Sequence, residues 1–370
     1  MSLISIHTIQ NTCIANNIPF VSFRAPYSNE IITFVQYKSS PAKIKLANLS
    51  QIASGFVVSP FQNEGNYCYV IEPDLKFVGT EVDSDMLSLL SGICFEHDNL
   101  NDLPESTTVA EFCATVEKAK DVFKNTALTK VVLSRVEVID QPADFNVTQV
   151  FLQLCQNYEH AYIHFVQLPT VGRWLGASPE PLLVKDNDVF STVSLAGTQL
   201  ASSSQSGTYT WGQKEQEEQA IVTRFVEQVL IDANLKKITK MPTVTIQAGK
   251  LLHLSTPFTF EMNHGQAWPH VINALHPTPS VAGMPRHPAT DFIVSNERHS
   301  RELYSGLIGD IQSINAMRLY VNLRCMQVLD QHVVFYSGAG ITPNSNAQAE
   351  WIETTNKLST MKQLVCKGCV

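Results

Sequence analysis

No stretch of this sequence stays apolar for the roughly 18 residues a helix needs to cross a bilayer, so no membrane span is expected. The N-terminal MSLISIHTIQNTCIANN lacks the basic-then-apolar pattern of a secretory signal. Positive charge is short as well. The chain has 26 Lys and Arg against 34 Asp and Glu, a net charge of −8, with no dense basic patch or tail, which argues against a nucleic-acid partner. Gly-, Pro- or Ser-rich linkers and short-period repeats are missing, which favours one large domain, built of two similar halves, over a string of modules. What is there is a chain 44% hydrophobic over 370 residues, enough to bury a sizeable core, with nothing in its composition that signals disorder. The expectation is a soluble cytoplasmic protein, a monomer or weak homodimer.

The eight cysteines are scattered, mostly in apolar contexts such as VFLQLC and LRCMQV that suit buried free thiols. Cys366 and Cys369 form a lone CKGC with no second ligand pair, a weak signal for zinc or redox chemistry.

Residues 1–107 carry few readable signals beyond apolar runs such as ASGFVVSPF and YCYVIEPDL, which suggest strands; they are taken as the N-terminal part of the fold, with 108–370 as the catalytic region. From 108 the pattern sharpens. TVAEFCATVEKAKDVFKNT has helical periodicity, KVVLSRVEVID reads as a strand, VTQVFLQLCQNY as a helix and AYIHFVQL as a strand. Consecutive strands follow through RWLGASPEPLLVKDNDVFSTVSLAG, with a tip at 186–188, then a long amphipathic helix in GQKEQEEQAIVTRFVEQVLIDANL. MRLYVNLRCMQVLDQHVVFYSGAG reads as a hairpin turning near Asp330 and Gln331, and a closing helix begins around Asn346. Neighbouring antiparallel strands with helices inserted between them predict an α+β fold with a large antiparallel-sheet core and surrounding helices.

Two helix starts are acidic. AEWIETTNK at 349–357 places Glu350, Glu353 and Lys357 on one helical face, and KEQEEQAIV does the same with Glu215 and Glu218. Alone, each is explained by the helix dipole, or by an exposed Glu–Lys pair worth about 0.3 kcal/mol. The alternative is two halves of a metal site.

Nine motifs now stand in order: KVVLSR at 130–135, GASPEPLL at 176–183, LAGT at 195–198, EEQAIV at 217–222, HLST at 253–256, LHPTPSVAGMPR at 275–286, ERHSRELYSGLIGDI at 297–311, LRC at 323–325 and GAGITPNSNAQAEWIETTNK at 338–357. In this series, over about residues 108–365, the sequence resembles the chorismate-utilising enzymes, among them isochorismate, salicylate, anthranilate and aminodeoxychorismate synthases. The resemblance implies that Glu218 and Glu353 bind Mg²⁺ directly and that Glu215 and Glu350 act mainly through water, which suits a hard cation that keeps part of its hydration. The ion would neutralise a carboxylate of chorismate that the acidic cluster would otherwise repel, with Lys357 balancing the excess charge. Tyr304 and Arg324 match the binders of the enolpyruvyl carboxylate. Gly338 and Gly340 would let backbone N–H groups approach the ring carboxylate. Ala196, Gly197 and Thr198 of LAGT line the substrate site by the same match, and His253 falls on a family active-site histidine.

Three positions separate the members by resemblance. Lys130 matches the general base that activates water, a role that requires the neutral amine and hence a buried site. Glu180 matches the general acid that protonates the departing C4 hydroxyl, a poor leaving group without it. Ala196 stands where aminodeoxychorismate synthases carry a nucleophilic lysine, which disfavours that chemistry. Gln199, Gln219, Ala282 and Asp310 depart from the usual arginine, histidine, glycine and tryptophan. The expected reaction is Mg²⁺-dependent water addition at C2 of chorismate with loss of the C4 hydroxyl, the isochorismate synthase reaction. The alternatives are salicylate synthesis, which adds pyruvate elimination, and a silent ligand-binding member. No ammonia-supplying glutaminase subunit is expected. The sequence does not separate menaquinone from siderophore supply.

Overall fold

The computed structural model describes residues 3–63, 65–96, 103–169, 171–201, 209–249, 251–263, 265 and 267–366. Two large antiparallel sheets face each other, and helices cover the outer face of each. The first sheet has nine strands in the order Gly283–Met284, Lys130–Asp140, His332–Ile341, Cys325–Val328, Gly172–Ser178, Tyr162–Leu168, Phe20–Arg24, Ile32–Val35 and Leu75–Val78. The second has ten, running from Lys236–Lys240 through Leu251–Glu261, Val189–Leu200, Pro181–Asp186, Ala316–Val321, Leu307–Ser313, Gly55–Ser59 and Tyr67–Ile71 to Ala42–Lys45, with Val244–Ala248 hydrogen-bonded to Leu251–Glu261 off this path.

The layers follow from where the apolar side chains point. Between the sheets, Phe23, Phe34, Val166 and Trp174 from one meet Phe56, Val58, Ile308 and Tyr320 from the other. Tyr162 and Tyr320 stack across the interface with ring centroids 4.5 Å apart. Each such ring or branched chain contributes roughly 1.5–3 kcal/mol by leaving water. The outer face of the first sheet packs on helices Ile6–Ala15, Val147–Asn157 and Ala347–Val365. The outer face of the second packs on Gln213–Asp232 and Pro269–Leu275. A satellite cluster joins helices Val109–Asn125 and Arg286–Asn296 to the Lys130–Asp140 strand. No helix among the described residues is long and apolar enough to cross a membrane.

Local chemistry sets the boundaries. Thr108 and Glu111 close a reciprocal capping box on Val109–Asn125. The Asn146 side chain accepts from the N–H groups of Thr148 and Gln149, and Asn346 accepts from Ala349, starting the closing helix where the sequence places it. At 186–188 the chain turns through Asn187 with φ +55°. One expectation needs correction. MRLYV and CMQV do not form one run with the following strand: Ala316–Val321 lies in the second sheet, while Cys325–Val328 and His332–Ile341 pair in the first. The hairpin near 330 is real, but the chain changes sheets at Asn322–Arg324, where Arg324 takes φ +49°. The apolar alternation of both segments gives no hint of the change.

Candidate active site

The Gln213–Asp232 helix covers one sheet and Ala347–Val365 the other, and their acidic N-terminal turns come together. Between them lies a cleft with about 670 Å³ of empty space, part of it open to solvent. Glu180, Ala196, Gly197, Thr198, Glu218, His253, Tyr304, Arg324, Gly338, Gly340, Glu353 and Lys357 all line it. Lys130, Glu215 and Glu350 stand just behind this surface.

Lys130 opens the strand that pairs with Gly283–Met284 on one side, and it is fully buried. Its Nζ lies 2.8 Å from Glu218 Oε1. Burial works against the Glu218 carboxylate, but the charge of Lys130, helped by Lys357 and Lys214, holds its pKa below the usual value. Glu353 pairs with Lys357 at 2.6 Å, and Lys357 also donates to the Gly338 carbonyl at 3.0 Å. Glu350 is nearly inaccessible and pairs with Lys214 at 2.6 Å. Its pKa is pushed up by burial and then by Glu353, against the pull of Lys214. Glu215 behaves differently: its carboxylate folds back over Gly212 at the start of its own helix.

Glu180 is buried, and among the described residues its carboxyl has one side-chain hydrogen bond, a long contact of 3.4 Å from Thr278 Oγ1. Burial pushes its pKa up to about 7, although Thr278 and the charges of Lys130, Lys357 and Arg324 pull the other way. A carboxyl near 7 can carry a proton at neutral pH, the state a general acid needs.

His253 supports the site rather than titrating in it. Its pKa is pushed down to about 3 by burial and by Arg324. The Arg324 guanidinium can only donate, so the 3.2 Å contact from its Nη2 makes His253 Nε2 the acceptor. His253 Nδ1 then carries the hydrogen and donates to the Gly197 carbonyl at 2.9 Å, with Thr198 Oγ1 at 3.3 Å. Arg324 is lowered to about 10 by burial and remains a cation; its Nη1 is buried without a partner among the described residues. Tyr304, raised to about 12 by burial, stays a neutral donor.

The glycines serve a purpose the sequence does not reveal. A Cβ at Gly340 would lie 2.4 Å from Glu218 Oε1 and 3.1 Å from Lys130 Cε, and one at Gly338 would lie 2.9 Å from the Tyr304 hydroxyl. They make room for the side chains of Glu218, Lys130 and Tyr304. Gly197 sits at φ +67° in an irregularity where Val189–Leu200 slips register against Leu251–Glu261.

The departures from the family pattern fall outside the cleft lining. Gln219 Nε2 donates to Ser194 and Thr256 at 2.9–3.0 Å, tying its helix to the sheet. Asp310 accepts from the Tyr162 hydroxyl at 2.7 Å within the core. Ala282 is buried beside the Lys130 strand. Of the CKGC cysteines, Cys366 is half-buried, and Cys369 lies outside the described residues. Sequence reasoning passed over Lys214 and Thr278. Thr278 stood inside a quoted motif, whereas Lys214 meets Glu350 from 136 residues away.

With this geometry established, the comparisons are direct. Residues 93–366 match the model of the chorismate binding enzymes, and the chain belongs to that family. It is 32% identical over 265 residues to isochorismate synthase EntC of Escherichia coli strain K12, an alignment covering 70% of this chain and 67% of EntC. It is 27% identical over 248 residues to the vibriobactin-specific isochorismate synthase of Vibrio cholerae, covering 65% of this chain and 63% of that one. The structure of MenF, the menaquinone-specific isochorismate synthase of Escherichia coli, superposes with a TM-score of 0.78 at 20% identity, covering 94% of this chain and 89% of that one. Anthranilate synthase component I of Streptococcus pneumoniae TIGR4 gives 0.69 at 17%, covering 93% and 92%. These last two likenesses speak to the fold.

Proposed function

We propose that this cleft carries out the isochorismate synthase reaction: water adds to ring C2 of chorismate, the double bond shifts and the C4 hydroxyl leaves. The carrying observation is Glu180, a buried, under-partnered carboxyl held near 7 on the wall of a cleft whose other groups bind carboxylates. Lys130 takes the proton from the attacking water, and Glu180 gives its proton to the C4 oxygen, which departs as water. One water enters and one leaves, so substrate and product are isomers and no redox cofactor is needed. In this step Lys130 acts as the free amine. Arg324, held by His253, and Tyr304 orient a substrate carboxylate through a charged donor and a neutral one. Water is the nucleophile, so no ammonia-supplying partner is required.

The acidic positions suit a hard divalent cation in donor chemistry, since all are carboxylates on two facing helices. As they stand, Glu218, Glu353 and Glu350 each turn toward a lysine, and no three metal-binding side chains among the described residues converge on one point. Glu218 and Glu353, which reach the cleft, would hold Mg²⁺, with Glu350 and Glu215 behind them. When bound, the ion supplies positive charge to a substrate carboxylate.

The test is incubation of purified protein with chorismate and Mg²⁺, with products resolved by chromatography. The reaction should stall at a mixture of chorismate and isochorismate, return to chorismate from isochorismate, and stop in EDTA. Stoichiometric salicylate and pyruvate would make the chain a salicylate synthase. No turnover at all would leave a ligand-binding member of the family.

A further inference from the structure

Three lysines answer the three clustered glutamates, and they differ in what holds them. Lys130 is fully buried against Glu218. Lys357 is mostly buried and shared between Glu353 and the Gly338 carbonyl. Lys214 is 38% exposed, and only its ammonium is engaged, on Glu350, which is 1% exposed. Its charge also reaches Glu353 and Glu218. It projects from the first turn of the Gln213–Asp232 helix to the first turn of Ala347–Val365, so it ties the two acidic helices together. Of the three cations, this one can leave for water without dragging a buried stem after it.

As it stands, the cluster of Glu218, Glu350, Glu353, Lys130, Lys214 and Lys357 is neutral. A divalent ion entering alone brings an uncompensated +2 into a partly buried region. A dicarboxylate entering with it cancels that excess. We propose that Lys214 is a tethered counter-cation that occupies the charge space of the divalent ion, so that Mg²⁺ binds weakly by itself and well only with the dianionic substrate. The inference rests on the metal reading of the acidic helices and adds to it a residue that sets metal–substrate coupling. The coupling is reciprocal: Lys214 would restrain substrate affinity without metal as much as metal affinity without substrate.

The experiment is calorimetric titration of Mg²⁺ into wild type, Lys214→Met and Lys214→Arg, each with and without an equilibrated chorismate mixture, beside thermal unfolding in EDTA. Lys214→Met should bind Mg²⁺ alone on the order of 10-fold more tightly than wild type, because one competing charge has gone. The gain that substrate gives to Mg²⁺ affinity should shrink by a similar factor. In EDTA the Met variant should melt below wild type, since three glutamates then share two lysines, and Mg²⁺ should restore it. Lys214→Arg, which keeps the charge, should track wild type. A folded Lys214→Met that binds Mg²⁺ no more tightly than wild type, with unchanged coupling, overturns the role given to Lys214. If no protein binds Mg²⁺ even with substrate present, the metal reading itself fails, and the melting comparison in EDTA still decides whether Lys214 neutralises the cluster.

Discussion

Two buried ionic clusters lie on either side of the Lys130–Asp140 strand, and they are built to opposite rules. In one, Glu297 accepts from the Ser134 N–H and hydroxyl and from Arg301 Nε and Nη2, all at 2.6–2.8 Å. Arg301 gives two further donors to the carbonyls of Val281 and Val132, with its guanidinium 4.4 Å from the Phe61 ring centroid. Burial works against the Glu297 carboxylate, but Arg301 outweighs it and holds the pKa low. In the other, among the described residues, the Glu180 carboxyl has one long contact and a pKa near 7, and Arg324 Nη1 has no partner. Saturation fixes geometry, whereas a deliberate shortage leaves hydrogen-bonding capacity and a movable proton for a ligand. The first cluster holds the edge of the strand that carries Lys130; the second uses what that strand presents.

The contrast breaks most visibly by removing the movable proton. Glu180→Gln keeps the shape and should lose about 10²–10⁴-fold in kcat, the usual worth of a positioned acid, with Lys130→Ala losing a similar factor. Steady-state rates on variants with normal melting profiles decide this; near-normal turnover would remove either residue from the mechanism. Next, Glu297→Gln should cost about 3–5 kcal/mol of stability, because Arg301 is left as a buried charge without its partner. Chemical denaturation measures it, and a loss below 1 kcal/mol would mean that the cluster is not structural.

A third measurement uses pH. The folded pKa of Glu180, about 7, lies above its ordinary 4.5. Its protonated form therefore stabilises the fold fully below 4.5, and that contribution is lost as pH rises through about 7. Glu180→Gln should then be more stable than wild type at pH 8 by roughly 2–3 kcal/mol and no more stable at pH 4. Wild-type activity should fall above pH 7 as the acid ionises. An unchanged stability difference between the two pH values would refute the raised carboxyl. The smallest effect concerns Gly340→Ala. The new methyl meets the ends of long side chains, so stability should change by about 1 kcal/mol or less, while the displaced Lys130–Glu218 pair should lower kcat about 10-fold.

The candidate residues were legible because they sit in short motifs, and the fold gathers Lys130, Glu180, Glu218, Tyr304, Arg324 and Glu353 at or just behind one cleft. The partners were not legible, since pairing belongs to the fold. Lys214 and Glu350 are 136 residues apart, and nothing local to either names the other. The glycines were read as letting backbone N–H groups approach a substrate carboxylate, whereas what a Cβ there would meet is Glu218 and Tyr304. Among the elements, the long helices declared themselves through periodicity, and the closing helix starts at Asn346 as the sequence places it. The short helix Ile6–Ala15 was passed over although Ser5 caps it, and the change of sheet at Asn322–Arg324 left no mark, because the pattern of apolar residues says which face is buried and not against which sheet.

The strand order of the two sheets also governs when this chain can fold. Each sheet recruits strands from the first 78 residues, from the middle, and from beyond residue 306. Phe20–Arg24 ends up beside Tyr162–Leu168, and Gly55–Ser59 beside Leu307–Ser313. While the chain grows from the ribosome, the Gly55–Ser59 strand gains Tyr67–Ile71 on one edge early, but its other edge must wait for some 250 further residues before Leu307–Ser313 exists. At about 5–20 residues per second that is a delay of roughly 10–50 s with an apolar edge open. Such long-range pairing predicts slow refolding and a yield that drops with protein concentration.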